Sequence, residues 1–204
     1  TKRAKVLGAN AALVVVPYDN KPPQEGMILH FGEVAASTDI PQILYNIPGR
    51  TVVSLDVGTT AELSKISNII GIKDGSGQPS FAKDLRKLCG EKFILLSGDD
   101  SSCIDFMSQG GDGVISVISH VIPKEMTQIS KLARGANPTE AIQEFIKFKL
   151  LDSGMCLNAN PIPVKKAMEL MGIINSSELR SPLLELDSDK TKELKAILAS
   201  YNLI

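Results

Sequence analysis

The chain has 204 residues, 43% of them apolar, and a formal net charge of -1. That suits one domain, or a large and a small one, with a true core. It offers no basic stripe for nucleic acid or for an anionic membrane, and its apolar runs are far shorter than a bilayer span.

The start, Thr1-Lys2-Arg3-Ala4-Lys5, has no apolar segment behind it and predicts no signal peptide; the missing initiator methionine points to further sequence upstream. Cys89, Cys103 and Cys156 are odd in number and widely spaced, which reads as reduced thiols in a cytoplasm. The histidines are His30 and His120, and no cluster has metal-ligand spacing, so no metal is expected.

In chain order, Ala11-Ala12-Leu13-Val14-Val15-Val16 predicts a buried strand closed by the loop Pro17-Tyr18-Asp19-Asn20-Lys21-Pro22-Pro23. Met27, Ile28, Phe31, Val34 and Ala35 recur at helical spacing over 24–38. Pro41 to Pro48 holds a second strand. A short helix over 60–67 takes Thr59 or Thr60 as its N-cap. The run Ile69-Ile70-Gly71-Ile72-Lys73-Asp74 is a third strand, running into Gly75-Ser76-Gly77. A helix over 80–89 stops at Gly90, a strand covers 93–98, and a short helix carries Ile104 and Met107. The turn at Gly110-Gly111 leads to a fifth strand, Val114-Ile115-Ser116-Val117. Helices alone follow, at 123–134, 138–151, 161–171 and 189–201.

Strand alternating with helix, in continuously apolar strands, predicts a parallel α/β sheet covered on both faces. The division falls at 122/123: a β/α region over 1–122 and a helical region over 123–204. A (β/α)8 barrel and an open doubly wound sheet both fit. Only five strands are visible, against the roughly 250 residues of a complete barrel, and no GxGxxG follows the first strand.

Polar residues collect where these strands end: Tyr18 and Asp19, Tyr45 and Asn46, Lys73, Asp99 and Asp100, Ser116. In parallel α/β proteins sites lie there. Strand alternation puts Ile69, Gly71 and Lys73 on one face and Ile70, Ile72 and Asp74 on the other. A lysine on a packed face is disfavoured as an ion, and its neutral amine is a nucleophile, so Lys73 is the candidate Schiff-base former. A lysine whose stem reaches back to solvent is the plainer alternative. Tyr45 could shuttle protons beside it, or be a core aromatic. Arg50 suits a carboxylate, or is a solvated surface residue. Asp99-Asp100 reads as capping rather than acid–base chemistry. The glycine turns could cradle a phosphate and are more simply tight turns.

The segments Leu44-Tyr45-Asn46-Ile47-Pro48-Gly49-Arg50-Thr51, Gly71-Ile72-Lys73-Asp74, Leu96-Ser97-Gly98-Asp99-Asp100, Gly111-Asp112-Gly113-Val114-Ile115-Ser116-Val117 and Asn160-Pro161-Ile162-Pro163-Val164-Lys165 resemble the dihydrodipicolinate synthase family, of the pyruvate-dependent class I aldolase superfamily. The resemblance implies a (β/α)8 TIM barrel of which this chain holds strands four to eight, the C-terminal part, plus C-terminal helices. It implies a cytoplasmic lyase of lysine and diaminopimelate biosynthesis, a homotetramer built as a dimer of dimers, condensing pyruvate with L-aspartate 4-semialdehyde.

By the same resemblance Lys73 forms a covalent imine with pyruvate without any further cofactor, and Tyr45 relays protons. The Ile115 backbone carbonyl meets pyruvate, Arg50 binds the second substrate's carboxylate, and Tyr18 belongs to a lysine-feedback site. Asp19 stands where the family has a second relay tyrosine; a carboxylate accepts hydrogen bonds there and donates none at neutral pH. The family's first three strands, with a Gly-Thr-Thr segment, have no counterpart here. Sister aldolases acting on N-acetylneuraminate or keto-deoxy sugar acids, and an inactive remnant of the fold, are the alternatives.

Overall fold

A computed structural model describes residues 1–135 and 137–204. They form two compact units, Thr1–Ile115 and Ser116–Ile204. The sequence reading divides at 122/123. The short 3-10 turn Ile118–His120 packs on the helices that follow it, which places it with them.

The first unit carries α1 (Lys2–Val6), β1 (Ala12–Val15), α2 (Gln24–Ala36), β2 (Gln42–Asn46), α3 (Pro48–Thr51), α4 (Val57–Leu63), β3 (Ile69–Asp74), α5 (Ser80–Cys89), β4 (Ile94–Ser97), α6 (Cys103–Ser108) and β5 (Gly113–Val114). All strands are parallel and lie in the order β1-β2-β3-β4-β5. That order never reverses, whereas a doubly wound sheet reverses at its switch point. Consecutive order is the winding of a barrel, and five strands cannot close one at the usual tilt and shear.

One face of the sheet carries Leu44, Ile72 and Leu95, fully buried against Met27 and Phe31 of α2, Leu63 of α4, Leu85 of α5 and Phe106 of α6. Each such side chain contributes about 1.5–3 kcal/mol by leaving water. The other face carries Leu13, Val15, Ile43, Tyr45, Lys73, Ile94 and Leu96, none of them buried; Leu13 is 48% exposed. The sheet is thus not covered on both faces, as the continuously apolar runs predict. Along β2 and β4 buried and half-buried positions alternate.

The lysine strand also departs from simple alternation. The β2–β3 register slips between Gln42 and Ile43, so Gln42 pairs with Ile69 but Ile43 pairs with Gly71. The extra residue, Ile70, is a bulge. It moves Ile69 into the helix-side core with Ile72 rather than onto the face of Lys73.

Local corrections have local causes. The predicted 60–67 helix starts at Val57, because Asp56 Oδ1 accepts the Thr59 N–H at 2.6 Å; Thr59 and Thr60 are buried inside the helix. The fifth strand is only Gly113–Val114, since Val117 already has right-handed helical dihedrals and Ser116 Oγ accepts the Ser119 N–H at 2.9 Å. Helices α1 and α3 are a turn or so each, too short for periodicity to reveal.

The second unit has α7 (Pro123–Arg134), α8 (Pro138–Ile146), α9 (Lys149–Met155), α10 (Ile162–Leu170) and α11 (Ser188–Ser200). The predicted 138–151 helix is two: at Phe148 the chain leaves the helix and the ring stacks on Tyr201, 5.9 Å between centroids. Helix α11 starts at Ser188 because Asp187 caps it through the Lys190 N–H. No helix among the described residues is long and apolar enough to cross a membrane.

Candidate active site

Strand register brings Lys73 and Tyr45 together. Tyr45 of β2 pairs with Lys73 of β3, and Lys73 pairs with Leu96 of β4. Val15 and Gly113 extend this row to the edge strands. The Lys73 Nζ lies over the Tyr45 ring, 4.1 Å from its centroid. Both side chains are half-buried on the face without helices. The contact is to the ring face, which attracts a cation. A reactant carbonyl at the amine would therefore sit beside the phenol.

Two glycines make room. An added Cβ at Gly98 would lie 2.8 Å from Lys73 Cε, so the lysine stem runs over bare backbone at the end of β4. At Gly71 a Cβ would lie 2.5 Å from the Ile94 carbonyl oxygen, so only glycine lets β3 and β4 approach this closely.

The other predicted positions surround the same strand ends. Ile115 follows β5, 41% exposed, with its N–H bonded to the Ser97 carbonyl at 2.8 Å. Arg50 is exposed on α3, the turn after β2; Thr51 Oγ1 ties that turn to the Ile47 and Val53 carbonyls at 3.0 and 2.8 Å. Val52, which ends the turn, has φ of 67°, the left-handed region that a β-branched residue rarely occupies. Tyr18 and Asp19 are exposed in the loop after β1, and Asp19 has φ of 74°.

Sequence reasoning missed a buried polar pair one residue beyond the tyrosine and the lysine. Asn46 is 1% exposed and Asp74 2%, both on the helix side. Asn46 Nδ2 donates to Asp74 Oδ1 at 2.7 Å. Asn46 Oδ1 accepts from Leu55 N–H at 3.0 Å and Ser54 Oγ at 3.1 Å. Asp74 Oδ2 accepts from Ser76 Oγ at 2.6 Å and Ser76 N–H at 3.3 Å. Burial pushes the Asp74 carboxyl above its ordinary pKa, while the bonds from Ser76 and Asn46 pull it down. The available signal was the polar residue immediately after each candidate, at a position facing the helix layer.

Asp99 does not cap α6, whose N-cap is Ser102 without a side-chain cap bond; its Oδ2 instead closes the turn ahead of the helix, accepting from the Ser102 N–H at 2.9 Å and the Ser102 Oγ at 2.6 Å. The glycine turns are tight turns. A Cβ at Gly111 would lie 2.4 Å from the Phe106 ring, and the Gly110 carbonyl accepts from Arg86. Ser76 is engaged with Asp74, and His120 is exposed with Nδ1 bonded to the Val117 carbonyl at 2.9 Å. A cavity of about 370 Å³ opens on the helix side of the strand ends, lined by Asn46, Ser54, Ser76 and Phe81. It lies away from the face that Lys73 and Tyr45 share.

Residues 1–201 match the model of the dihydrodipicolinate synthetase family. The chain is 48% identical over 196 residues to the 4-hydroxy-tetrahydrodipicolinate synthase of Bdellovibrio bacteriovorus, covering 96% of this chain and 67% of that protein. It is 46% identical over 189 residues to the Shewanella piezotolerans protein of the same name, covering 93% of this chain and 64% of the other. Among solved structures, the chloride-inhibited dihydrodipicolinate synthase of Acinetobacter baumannii, complexed with pyruvate, superposes with a TM-score of 0.94 at 39% identity, over 100% of this chain and 70% of that one. The chain thus spans about two thirds of the length of the relatives it matches.

Proposed function

The chain belongs to the dihydrodipicolinate synthetase family, and on that premise we propose that the polypeptide carrying it condenses pyruvate with L-aspartate 4-semialdehyde to 4-hydroxy-tetrahydrodipicolinate. Its fold is the (β/α)8 barrel of that family, represented here by five strands. The observation that carries the proposal is the Lys73 amine over the Tyr45 ring, at the carboxyl ends of consecutive parallel strands.

Lys73 Nζ attacks the C2 ketone of pyruvate. The carbinolamine loses water, its oxygen taking protons relayed by Tyr45, and an imine forms. The imine withdraws electrons, so C3 gives up a proton and becomes an enamine carbon. That carbon attacks the aldehyde carbon, whose oxygen takes up a proton in place of the one lost from C3, and the new C–C bond regenerates an imine that water or the product's own amine releases from the lysine. Arg50 binds the second substrate's carboxylate bidentately at the mouth, and the Ile115 carbonyl borders the pyruvate. Tyr18 contributes to a lysine-feedback site, and Asp19 receives rather than donates hydrogen bonds in the relay position. The assembly is a cytoplasmic homo-oligomer, a dimer of dimers, with no further cofactor.

Sialic acid or keto-deoxy sugar acid cleavage finds no support in the relatives, which carry the synthase name. The test is condensation itself. Aspartate semialdehyde should disappear only when pyruvate is present, and Lys73→Ala should abolish the loss. Turnover of sialic acid instead would overturn the substrate assignment.

A further inference from the structure

The buried carboxamide of Asn46 joins two places that the chemistry needs in register, the end of the lysine strand and the chain after the Arg50 turn. It belongs to the residue after Tyr45. Through Nδ2 it holds Asp74, the residue after Lys73, at 2.7 Å. Through Oδ1 it holds the chain leaving the Arg50 turn, at Leu55 N–H and Ser54 Oγ. A backbone bond repeats the first connection, the Gly75 N–H donating to the Asn46 carbonyl at 2.8 Å, and the Gly98 N–H continues the row to the next strand end by donating to the Asp74 carbonyl at 2.6 Å.

The segment Ile47–Leu55 is otherwise an irregular excursion. It is closed on itself by Thr51 and ends its single helical turn in a strained Val52. Its Ser54 hydroxyl and Leu55 N–H are tied to the end of β2 through Asn46. A second tie, from Gln24 Nε2 to the Ser54 carbonyl at 2.8 Å, leads to helix α2 instead.

We propose that Asn46 is a positioning residue that hangs the Arg50-bearing segment on the lysine strand, so that the carboxylate of the second substrate is held at a fixed distance from the enamine formed on Lys73. The proposal rests on the reading of Lys73 and Arg50 given above. Asn46 touches no substrate; it acts through Arg50. Its loss should therefore spare formation of the pyruvate imine and weaken use of the aldehyde.

Hydrogen-bond chemistry supplies a rescue. In Asn46→Asp two carboxylates face each other. In Asp74→Asn an N–H of the new amide must face either Asn46 Nδ2–H or the Ser76 N–H. In the double swap, Asn46→Asp with Asp74→Asn, the residue-46 carboxylate accepts from the new amide and from Leu55 and Ser54. The new amide oxygen accepts from Ser76. Every donor regains an acceptor.

The experiment uses the native polypeptide that carries this chain. Borohydride trapping with pyruvate and steady-state kinetics with aspartate semialdehyde are compared across wild type, Asn46→Ala, both single swaps and the double swap. The expected result is pyruvate trapping within a few-fold of wild type and a KM for the semialdehyde raised at least about tenfold in Asn46→Ala. The double swap should return that KM close to wild type. Should Asn46→Ala fail to fold, the double swap against the single swaps decides the matter. A folded double swap with KM still raised overturns the proposal, as does an Asn46→Ala enzyme with unchanged KM. Trapping absent from wild type would instead refute the reading of Lys73, a separate outcome.

Discussion

Gly98→Ala isolates the placement of the amine. A Cβ there would lie 2.8 Å from Lys73 Cε, 3.3 Å from Lys73 Cγ and 3.2 Å from the Asp74 carbonyl oxygen. Carbon atoms rest at about 3.5–4.0 Å, so the lysine stem must retreat by about 1 Å. The stem is flexible, and Gly98 is not in the left-handed region, so alanine is conformationally acceptable and the fold should survive. Amine placement should not survive. Displacement by ~1 Å costs up to ~10²-fold in rate. Rapid-quench measurement of imine formation from pyruvate should show this loss in the first step, while urea unfolding shows a change under about 1.5 kcal/mol. Imine formation at the wild-type rate in a folded Gly98→Ala enzyme would refute the placement argued here.

Val52→Gly relieves a left-handed β-branched residue that is 66% exposed. Strain of about 1–2 kcal/mol, less the flexibility glycine adds to the unfolded chain, predicts a net gain of about 0.5–1 kcal/mol in urea unfolding; a loss would show that Val52 packs in a way its exposure denies. Arg86 donates to the Gly90, Phe93 and Gly110 carbonyls and to Asp112 Oδ2 at 2.7–3.0 Å. Arg86→Ala should cost about 3 kcal/mol by equilibrium denaturation, and Arg86→Lys most of that, because an ammonium cannot reproduce the fork; a cost under about 0.5 kcal/mol contradicts the network. Asp74 has its folded pKa above the ordinary 3.8. The folded state therefore holds this proton more tightly than the unfolded one, and the stability so gained is full below 3.8 and declines as pH rises through the folded pKa. Relative to Asp74→Asn, wild type should lose stability as pH rises from 3.8 through the raised folded pKa, read from paired unfolding curves; a flat difference would mean that burial does not raise the Asp74 pKa.

The strands were legible because each is an apolar run bounded by Pro, Gly or Asn, and strand ends located Lys73 and Tyr45. What escaped depends on partners distant in sequence. The bulge at Ile70 exists only against Gln42 and Ile43. The helix break at Phe148 is set by a ring at Tyr201. Val114–Val117 has strand-like residues, but the Ser116 hydroxyl and the turn beyond it end the ladder. The apolar run of each strand suggests burial on both sides, although the face carrying Leu13 and Ile43 is half-exposed. Asn46 and Asp74 looked like ordinary polar punctuation; that they pair on the helix side follows from register, which composition does not reveal. Gly98 was visible in a motif, whereas its reason, the lysine stem above it, needed coordinates.

Borohydride reduction in the presence of pyruvate, followed by peptide mass mapping, tests the central claim most directly. The account predicts one N-(1-carboxyethyl) adduct, on Lys73, formed far more slowly once Tyr45 is replaced by phenylalanine. An unmodified Lys73 in the folded, full-length polypeptide, or an adduct on another lysine, would contradict it.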